Sequence, residues 1–440
     1  MNPKLRELAQ WAGDAATKAG AQQYAVTVGW SRFVNIEYRQ RKPETVREAV
    51  ERRLALSLYV NGRFSLQSTN DLRPQALQDF IAEAVAATKL LAEDPYRTLP
   101  DPKYYQGRAA LDLQLADPAY AAATTEKRHA LVREMEAACL EAGGDKLVSV
   151  TATGQDSRAE YVRLTSNGFT GEQETTNFNG GADATVQDEG DRRPNGYSWA
   201  SSRRQNGLPA PAEIGREAAR RTLALLGAKK IPTATLPIVV ENRIAGRLVG
   251  ELLAPLSGQA IQQKRSCLAD KKGQKIGSER LTLIADPLVV GGLGSRLFDG
   301  DGMAAKKRTI VEGGVVKDFL VDWYYSRKLG CEPTTGSTGN LILPPGPRSV
   351  AELMKALGRG ILITDFLGGN SNSTTGDFSV GIMGKLFENG EPVQSVAEMN
   401  IADNHLRFWQ KLAEAANDPW PYSAMRLPSL VFDGVVVAGK

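Results

Sequence analysis

The sequence predicts an α+β protein in two parts: an N-terminal α/β domain with a mixed or antiparallel sheet, then a β-rich domain with flanking helices. Three observations carry this. Residues 3–93 pass from helix periodicity to strand alternation and back, with Asn61-Gly62 between two strand candidates. From Lys146 to Arg204, strand candidates follow one another, punctuated by Gly154, Asn167-Gly168 and Asn195-Gly196. Beyond KKIPTATLP at 229–237, a polar stretch with two prolines, glycine and strand patterns dominate, which divides the chain into 1–230 and 231–440.

In order, residues 3–19 have the spacing of a helix ending at Gly20. Residues 24–28, 33–38 and 54–60 alternate as strands, and Asn61-Gly62 turns the last into a return strand at 64–67. Asn70 or Asp71 is placed to cap a helix over about 74–93. Residues 94–112 are a proline-rich connector, and 117–142 form a helix in one or two pieces, closing at Gly143-Gly144. Strands are expected at 148–153, 158–165, 170–184 and 197–203, then a helix from Pro211 to Leu226. In the second half, Gly313-Gly314 turns a hairpin. Short helices are read at 322–329 and 349–357, strands at 361–367, 378–388 and 392–399, a helix at 404–416 and a closing strand at 430–437.

Bulk properties exclude several classes. The 54 basic and 50 acidic residues nearly cancel, so charge gives no case for nucleic-acid binding. Cys139, Cys267 and Cys331 are odd in number and widely spaced, which argues against a disulfide framework or ligand cluster and for a reducing compartment. The first residues read as a charged amphipathic helix rather than a secretion leader, and no run of about 18 apolar residues occurs. The expected address is the cytoplasm, with no membrane or nucleic-acid partner.

The most informative stretch is ENRIAGRLVGELLAPLSG, 241–258, after a short apolar strand at 236–240. Ala245, Leu248, Val249, Leu252, Leu253 and Leu256 fall on one helix face, and Pro255 breaks the helix. Glu251 reads as a leftover general base or as a surface carboxylate paired with Arg247 one turn back; without a metal to polarise water, the ion pair is the better reading. A catalytic zinc needs about three protein ligands. His129 lies in a charged helix and reads as solvated, and His405 reads as a surface or cap residue. The loop GGNSNSTTGDFSVG, 368–381, is either a long hairpin loop or a cleft lining, in which backbone amides with Asn370, Asn372, Thr374 or Thr375 take up an extended peptide. GGLGSR at 291–296 lacks the phosphate-loop pattern, FDGDG at 298–302 reads as a tight turn, and Cys331 has no neighbouring histidine.

Helix 241–258, FDGDG, STGN at 337–340 and TTGDFS at 374–379 resemble, in this order, the C-terminal half of the TldD/PmbA family, once called modulators of DNA gyrase. LYVNGRFSLQSTNDL at 58–72 matches more loosely. The resemblance implies an α/β front and a barrel-like back. It also implies a His-Glu-x-x-x-His metal motif on this helix in the peptidase branch, with a further cysteine near the C-terminus. Here the window reads GELLAP: Gly250 and Pro255 stand at the histidine positions, Glu251 survives, and the tail at 420–430 has no cysteine. The chain is therefore similar to the PmbA/TldE branch. That implies no metal and no catalytic residue in this chain, and a heterodimer with a TldD-like subunit carrying zinc. The substrates implied are unfolded peptides or the leaders of ribosomally made peptides. The expected cavity residues are Asn370, Asn372, Thr374, Thr375, Gly376, Asp377 and Phe378, with Thr338 and Asn340. Trp323, Tyr324, Tyr325, Trp409, Trp420 and Tyr422 are candidates for an interface, some of them core. Two alternatives stay open: an autonomous homodimeric amidase or deacylase-like hydrolase, and a peptide-binding regulator.

Overall fold

The computed structural model describes residues 3–440. Its first half repeats one arrangement twice. The first unit is α1 (Pro3–Lys18), β1 (Gln23–Arg39), β2 (Lys42–Val60), β3 (Arg63–Thr69) and α2 (Pro74–Thr88). The second is α3 (Thr125–Gly143), β4 (Leu147–Thr165), β5 (Thr170–Val186), β6 (Asn195–Ser202) and α4 (Pro211–Leu223). The strands form one antiparallel sheet in the order β3-β2-β1-β4-β5-β6, with β1 and β4 at its centre. The order is symmetric about that central pair, so the units are related by a pseudo-two-fold axis through it.

All four helices cover one face. Val26 and Val28 of β1 pack under α1 and α2, while Val34, Ile36 and Tyr38 pack under α3 and α4. These residues share one parity along the strand and therefore one face. Each helix pair covers one end of the sheet.

The strands are longer than the sequence patterns suggest. Residues 24–28 and 33–38 belong to the single strand β1, and Gly154 lies inside β4 rather than at a turn. Both glycines mark close approaches. A Cβ on Gly29 would stand 2.7 Å from the Glu160 carbonyl oxygen, and one on Gly154 would stand 2.6 Å from Val132 on α3. The start of β2 is charged on both faces and has no alternation to betray it. α2 begins at Pro74 with Arg73 as its N-cap and no side-chain cap; Asp71 instead accepts from the Arg73 amide, 3.1 Å away. A buried cluster ties α3 to β4: the Arg128 guanidinium donates to both Asp156 oxygens, and the Tyr120 hydroxyl donates to Oδ1 at 2.6 Å.

The second half contains β7 (Ala234–Val240), α5 (Asn242–Leu253), α6 (Gly258–Gln262), β8 (Leu283–Asp286), β9 (Arg308–Glu312), β10 (Val315–Val316), α7 (Trp323–Leu329) and β11 (Asn340–Ile342). It continues with α8 (Val350–Leu357), β12 (Arg359–Ser371), β13 (Asp377–Glu388), β14 (Glu391–Asn404), α9 (His405–Phe408), β15 (Leu412–Ala415), β16 (Met425–Arg426) and β17 (Leu430–Ala438). Strands β14, β13, β12, β7 and β17 close into a barrel, because β14 also pairs with β17 through Asn400↔Ala438 and Ile401↔Val437. β10-β9-β8-β11-β16 form a separate sheet. The six predicted apolar residues of 241–258 are all buried in the core shared by the barrel and this sheet. Each contributes roughly 1.5–3 kcal/mol if large and fully buried. Pro255 ends α5 at Leu253, as its missing N–H requires.

The helix read at 404–416 is corrected. α9 is one turn long, followed by a 3₁₀ turn and then β15, which pairs with β17 through Leu412↔Phe432. Trp409 and Leu412 are both buried, and the strand pairing takes the residues a longer helix would have used. Several of the aromatics proposed for an interface join the two halves instead. The Trp323 indole donates to the Thr98 carbonyl at 2.9 Å, and the Tyr324 hydroxyl donates to Asp94 at 2.7 Å.

The α3–α4 contact gives a test of this packing. A Cβ on Gly215 would overlap the Met135 carbonyl and lie 3.0 Å from the Cys139 nitrogen. Gly215→Ala is expected to lower stability by about 1–3 kcal/mol, read as a lower denaturation midpoint at constant m-value. An unchanged midpoint would show that the helices are not in this contact.

Candidate functional site

The site is built where α5, the β12–β13 loop and α9 meet. Glu251 lies two residues before the end of α5. The Arg247 Nε donates to Glu251 Oε1 at 3.2 Å, the predicted pair one turn apart, and the Arg247 guanidinium also donates to the Gly368 carbonyl. Glu251 is not a free surface carboxylate, however. Its Oε2 is buried, has no hydrogen-bond partner and lies 3.9 Å from His405 Nε2.

His405 is the residue that sequence reasoning misplaced. It is 2% exposed rather than a surface residue, and its ring stacks on Phe378 with centroids 4.7 Å apart. The Trp409 indole N–H donates to His405 Nδ1 at 3.3 Å, and Nε2 lies 3.0 Å from Ser371 Oγ. Indole is a donor only, so Nδ1 must accept and the neutral ring carries its proton on Nε2. Nε2 therefore donates to Ser371. Burial lowers the His405 pKa to about 4, partly offset by Asp403, so the ring is neutral near pH 7. The one visible signal was the neighbouring aromatic pair Phe408-Trp409, which pulls this turn into the core. His129 is likewise half-buried rather than solvated, with Nδ1 3.0 Å from the Tyr38 hydroxyl.

The loop from Asn372 to Gly376 is rigidly braced. Asn372 accepts from the Thr374 amide through its side chain at 2.9 Å and from the Gly376 amide through its carbonyl at 2.7 Å. Asn404 Nδ2 donates to the Thr375 carbonyl and to Asp377, both at 2.8 Å. Gly376 has φ +83°, and a Cβ there would come 3.2 Å from Cys267 Sγ, so only glycine fits without strain. Asn370, Asn372, Thr374, Thr375 and Asp377 are exposed; Gly376 and Phe378 are buried. Thr338 and Asn340 lie on another element, leading into β11. Asn340 is fully buried, donating to the Asp286 carbonyl and Ser295 and accepting from the Gly294 amide. That bond also engages the GGLGSR segment in packing. In FDGDG, Asp299 accepts from the Asp301 and Met303 amides, a turn as predicted. Burial and then Asp301 raise the Asp299 pKa to about 6.

The donor set does not fit a zinc ion at the motif position. Gly250 and Pro255 offer no ligating atom, and among the described residues no three His, Cys, Asp or Glu groups gather as a metal cluster. A side chain at 250 would have room, since its Cβ would meet only Met425, at 4.0 Å.

An antiparallel αβββα pair joined to a closed five-strand barrel, with α5 packed into the core that the barrel shares with the second sheet, defines a two-part α+β protein. The chain belongs to the PmbA/TldD family: the models described as PmbA/TldA metallopeptidase domain 1, central domain and C-terminal domain match residues 24–88, 119–226 and 233–439. It is 38% identical to a Bacteroides thetaiotaomicron protein described as a modulator of DNA gyrase, with TM-score 0.96 and full coverage of both chains. It is 27% identical to the metalloprotease PmbA of Escherichia coli O157:H7 over 94% of this chain and 92% of that one. TldE of Thermococcus kodakarensis shares the fold at TM-score 0.86 and 21% identity, covering 98% of this chain and all of the other.

The two shifted groups make opposing contributions to pH-dependent stability. The unfolded histidine takes a proton below about 6.5 and the folded one only near 4, so His405 costs stability as pH falls through that window. Asp299 holds its proton up to about 6 when folded, against 3.8 unfolded, so it adds stability as pH falls between those values. Each effect is on the order of 3 kcal/mol. His405→Gln is therefore expected to lose less stability than wild type between pH 7 and 4.5 in denaturant melts, and Asp299→Asn to lose more. Parallel pH slopes in all three proteins would refute the placement of these groups.

Proposed function

We propose that this chain is the subunit without metal ligands in a two-subunit metallopeptidase, paired with a TldD-like subunit that carries zinc, and acting in the cytoplasm on unfolded peptides or peptide leaders. The observation that carries this reading is the motif helix itself. It keeps its core-facing residues and Glu251 while Gly250 and Pro255 occupy the ligand positions. The contribution of this chain is then positional. The exposed loop residues Asn370, Asn372, Thr374, Thr375 and Asp377 sit on a braced turn that can hold a peptide main chain without reordering. Gly376 and Phe378 support that turn from below, while Thr338 and Asn340 belong to the segment leading into β11.

The test is co-expression with a family member carrying the complete motif. The chain alone is expected to hold no stoichiometric zinc by elemental analysis, and the complex to cleave an unstructured peptide. Thr374→Arg, at an exposed position, is expected to lower kcat/KM of the complex at least tenfold with assembly and melting temperature unchanged. Full activity in that variant would remove the loop from the substrate path.

The alternative of an autonomous hydrolase has one observation in its favour, the Ser371–His405 contact at 3.0 Å. The tautomer opposes it. A general base must accept the serine proton, and Nε2 already carries one because Trp409 donates to Nδ1. Ser371→Ala is expected to leave peptide cleavage by the complex within a few-fold; a loss of several hundred-fold would establish serine chemistry in this chain.

A further inference from the structure

A cleft of about 420 Å³ opens where the C-terminal end of α4 and the start of α8 flank the outer face of the barrel. None of the loop residues 368–381 lines it. Its volume falls in the range of small-molecule sites, roughly 300–1,000 Å³. Two paired strands form its floor. On β13, Ile382 and Leu386 point into the barrel core, so Met383 and Lys385 point outward. On β12, Ile363 and Phe366 are core residues, and the bulge at Thr364 turns Asp365 onto the outer face. Leu362 stands opposite Lys385, and Asp365 stands opposite Met383. A cation and a carboxylate are therefore diagonal neighbours, with apolar side chains at the other two corners. Met354 of α8 adds an apolar wall.

The charges of the cleft divide into two sets. Arg221 donates to both oxygens of Glu241, at 2.7 and 2.8 Å, and to the Thr364 carbonyl at 3.0 Å. Arg220 donates to both oxygens of Glu217, at 2.7 and 2.8 Å. The second set is uncommitted. Among the described residues, no group is hydrogen-bonded or ion-paired to Lys385 Nζ or to the Tyr197 hydroxyl. Asp365 accepts only from the amide of its neighbour Phe366, at 2.8 Å. All three residues are half-buried. Burial, then Arg220 and Arg221, hold the Lys385 pKa below its usual value, and burial raises those of Asp365 and Tyr197. The chain itself thus compensates their charged forms poorly. A ligand that brings a carboxylate to Lys385 and an ammonium to Asp365 supplies what both lack.

We propose that this cleft binds a small zwitterion with an apolar side chain, the chemistry of a free amino acid or a dipeptide. Lys385 takes the carboxylate, with Arg220 and Arg221 adding positive potential beside it. Asp365 takes the ammonium, and the ligand's apolar side chain lies on Leu362, Met383 and Met354. The site does not rest on the subunit reading above, because this chain alone builds it.

The test is isothermal titration calorimetry of the full chain with L-leucine and with L-leucyl-L-leucine. At least one is expected to bind with one-to-one stoichiometry, and the tighter of the two identifies the source. Lys385→Met and Asp365→Asn are each expected to weaken binding about tenfold or more, with circular dichroism unchanged. Ala351→Trp, at an exposed position on the rim of the cleft, is expected to abolish binding. N-acetyl-L-leucine amide, which carries neither charge, is expected not to bind. Absence of binding by both ligands at millimolar concentration, wild-type affinity in both charge variants, or equal binding of the blocked amide would each overturn the proposal.

Discussion

Fifteen consecutive residue pairs, from Ala25↔Thr165 to Arg39↔Thr151, join β1 to β4 and hold the first half together. Neither unit could bury its helices well without this junction. α1 packs on both β1 and β4, and α3 reaches from β4 across to β1, so each helix spans the seam between units. The close approaches at Gly29 and Gly154 serve the same junction, one letting the backbones of β1 and β4 meet and the other letting α3 settle onto β4. The platform so formed then anchors the second half through Arg203, which donates to the Leu293 carbonyl at 2.6 Å, and through the Arg221–Glu241 pair at the start of α5.

Much of this was legible in the residues, and the failures have physical causes. Local signals worked where one residue decides a conformation: Asn61-Gly62 in its turn, Pro211 at the first position of α4, Ser349 capping α8 and Gly330 ending α7 in a left-handed conformation. They failed where packing decides. The split of β4 into shorter pieces treated Gly154 as punctuation, whereas tertiary contact with α3 was its reason for being there. The charged start of β2 carries no alternation because neither of its faces is buried by this chain. His405 was misread because a polar residue after Asp-Asn looks like a surface cap. Asn404 does cap α9, but the ring beneath it turns inward against Phe378.

Helix α5 is held in place by its apolar face rather than by its polar residues. The residues of α5 that face the core are the largest contributors to its stability; Gly250 lies off that face, and Pro255 is buried in the turn that follows the helix. Glu251, near its end, has one oxygen paired to Arg247 and the other buried against the edge of His405. Such a carboxylate is costly to bury, and the Arg247 ion pair offsets only part of that cost.

The closed barrel also dictates an order of synthesis. β7 pairs with β17, nearly two hundred residues further along, and β17 pairs in turn with β14 to complete the ring. Until β17 has left the ribosome, β7 and β14 present open hydrogen-bonding edges and the apolar lining of the barrel stays uncovered. The platform has no such wait, since both of its units are complete before β7 is made. A nascent chain thus carries a finished first half beside an unfinished, aggregation-prone second half, and it is in that interval that a chaperone has most to protect.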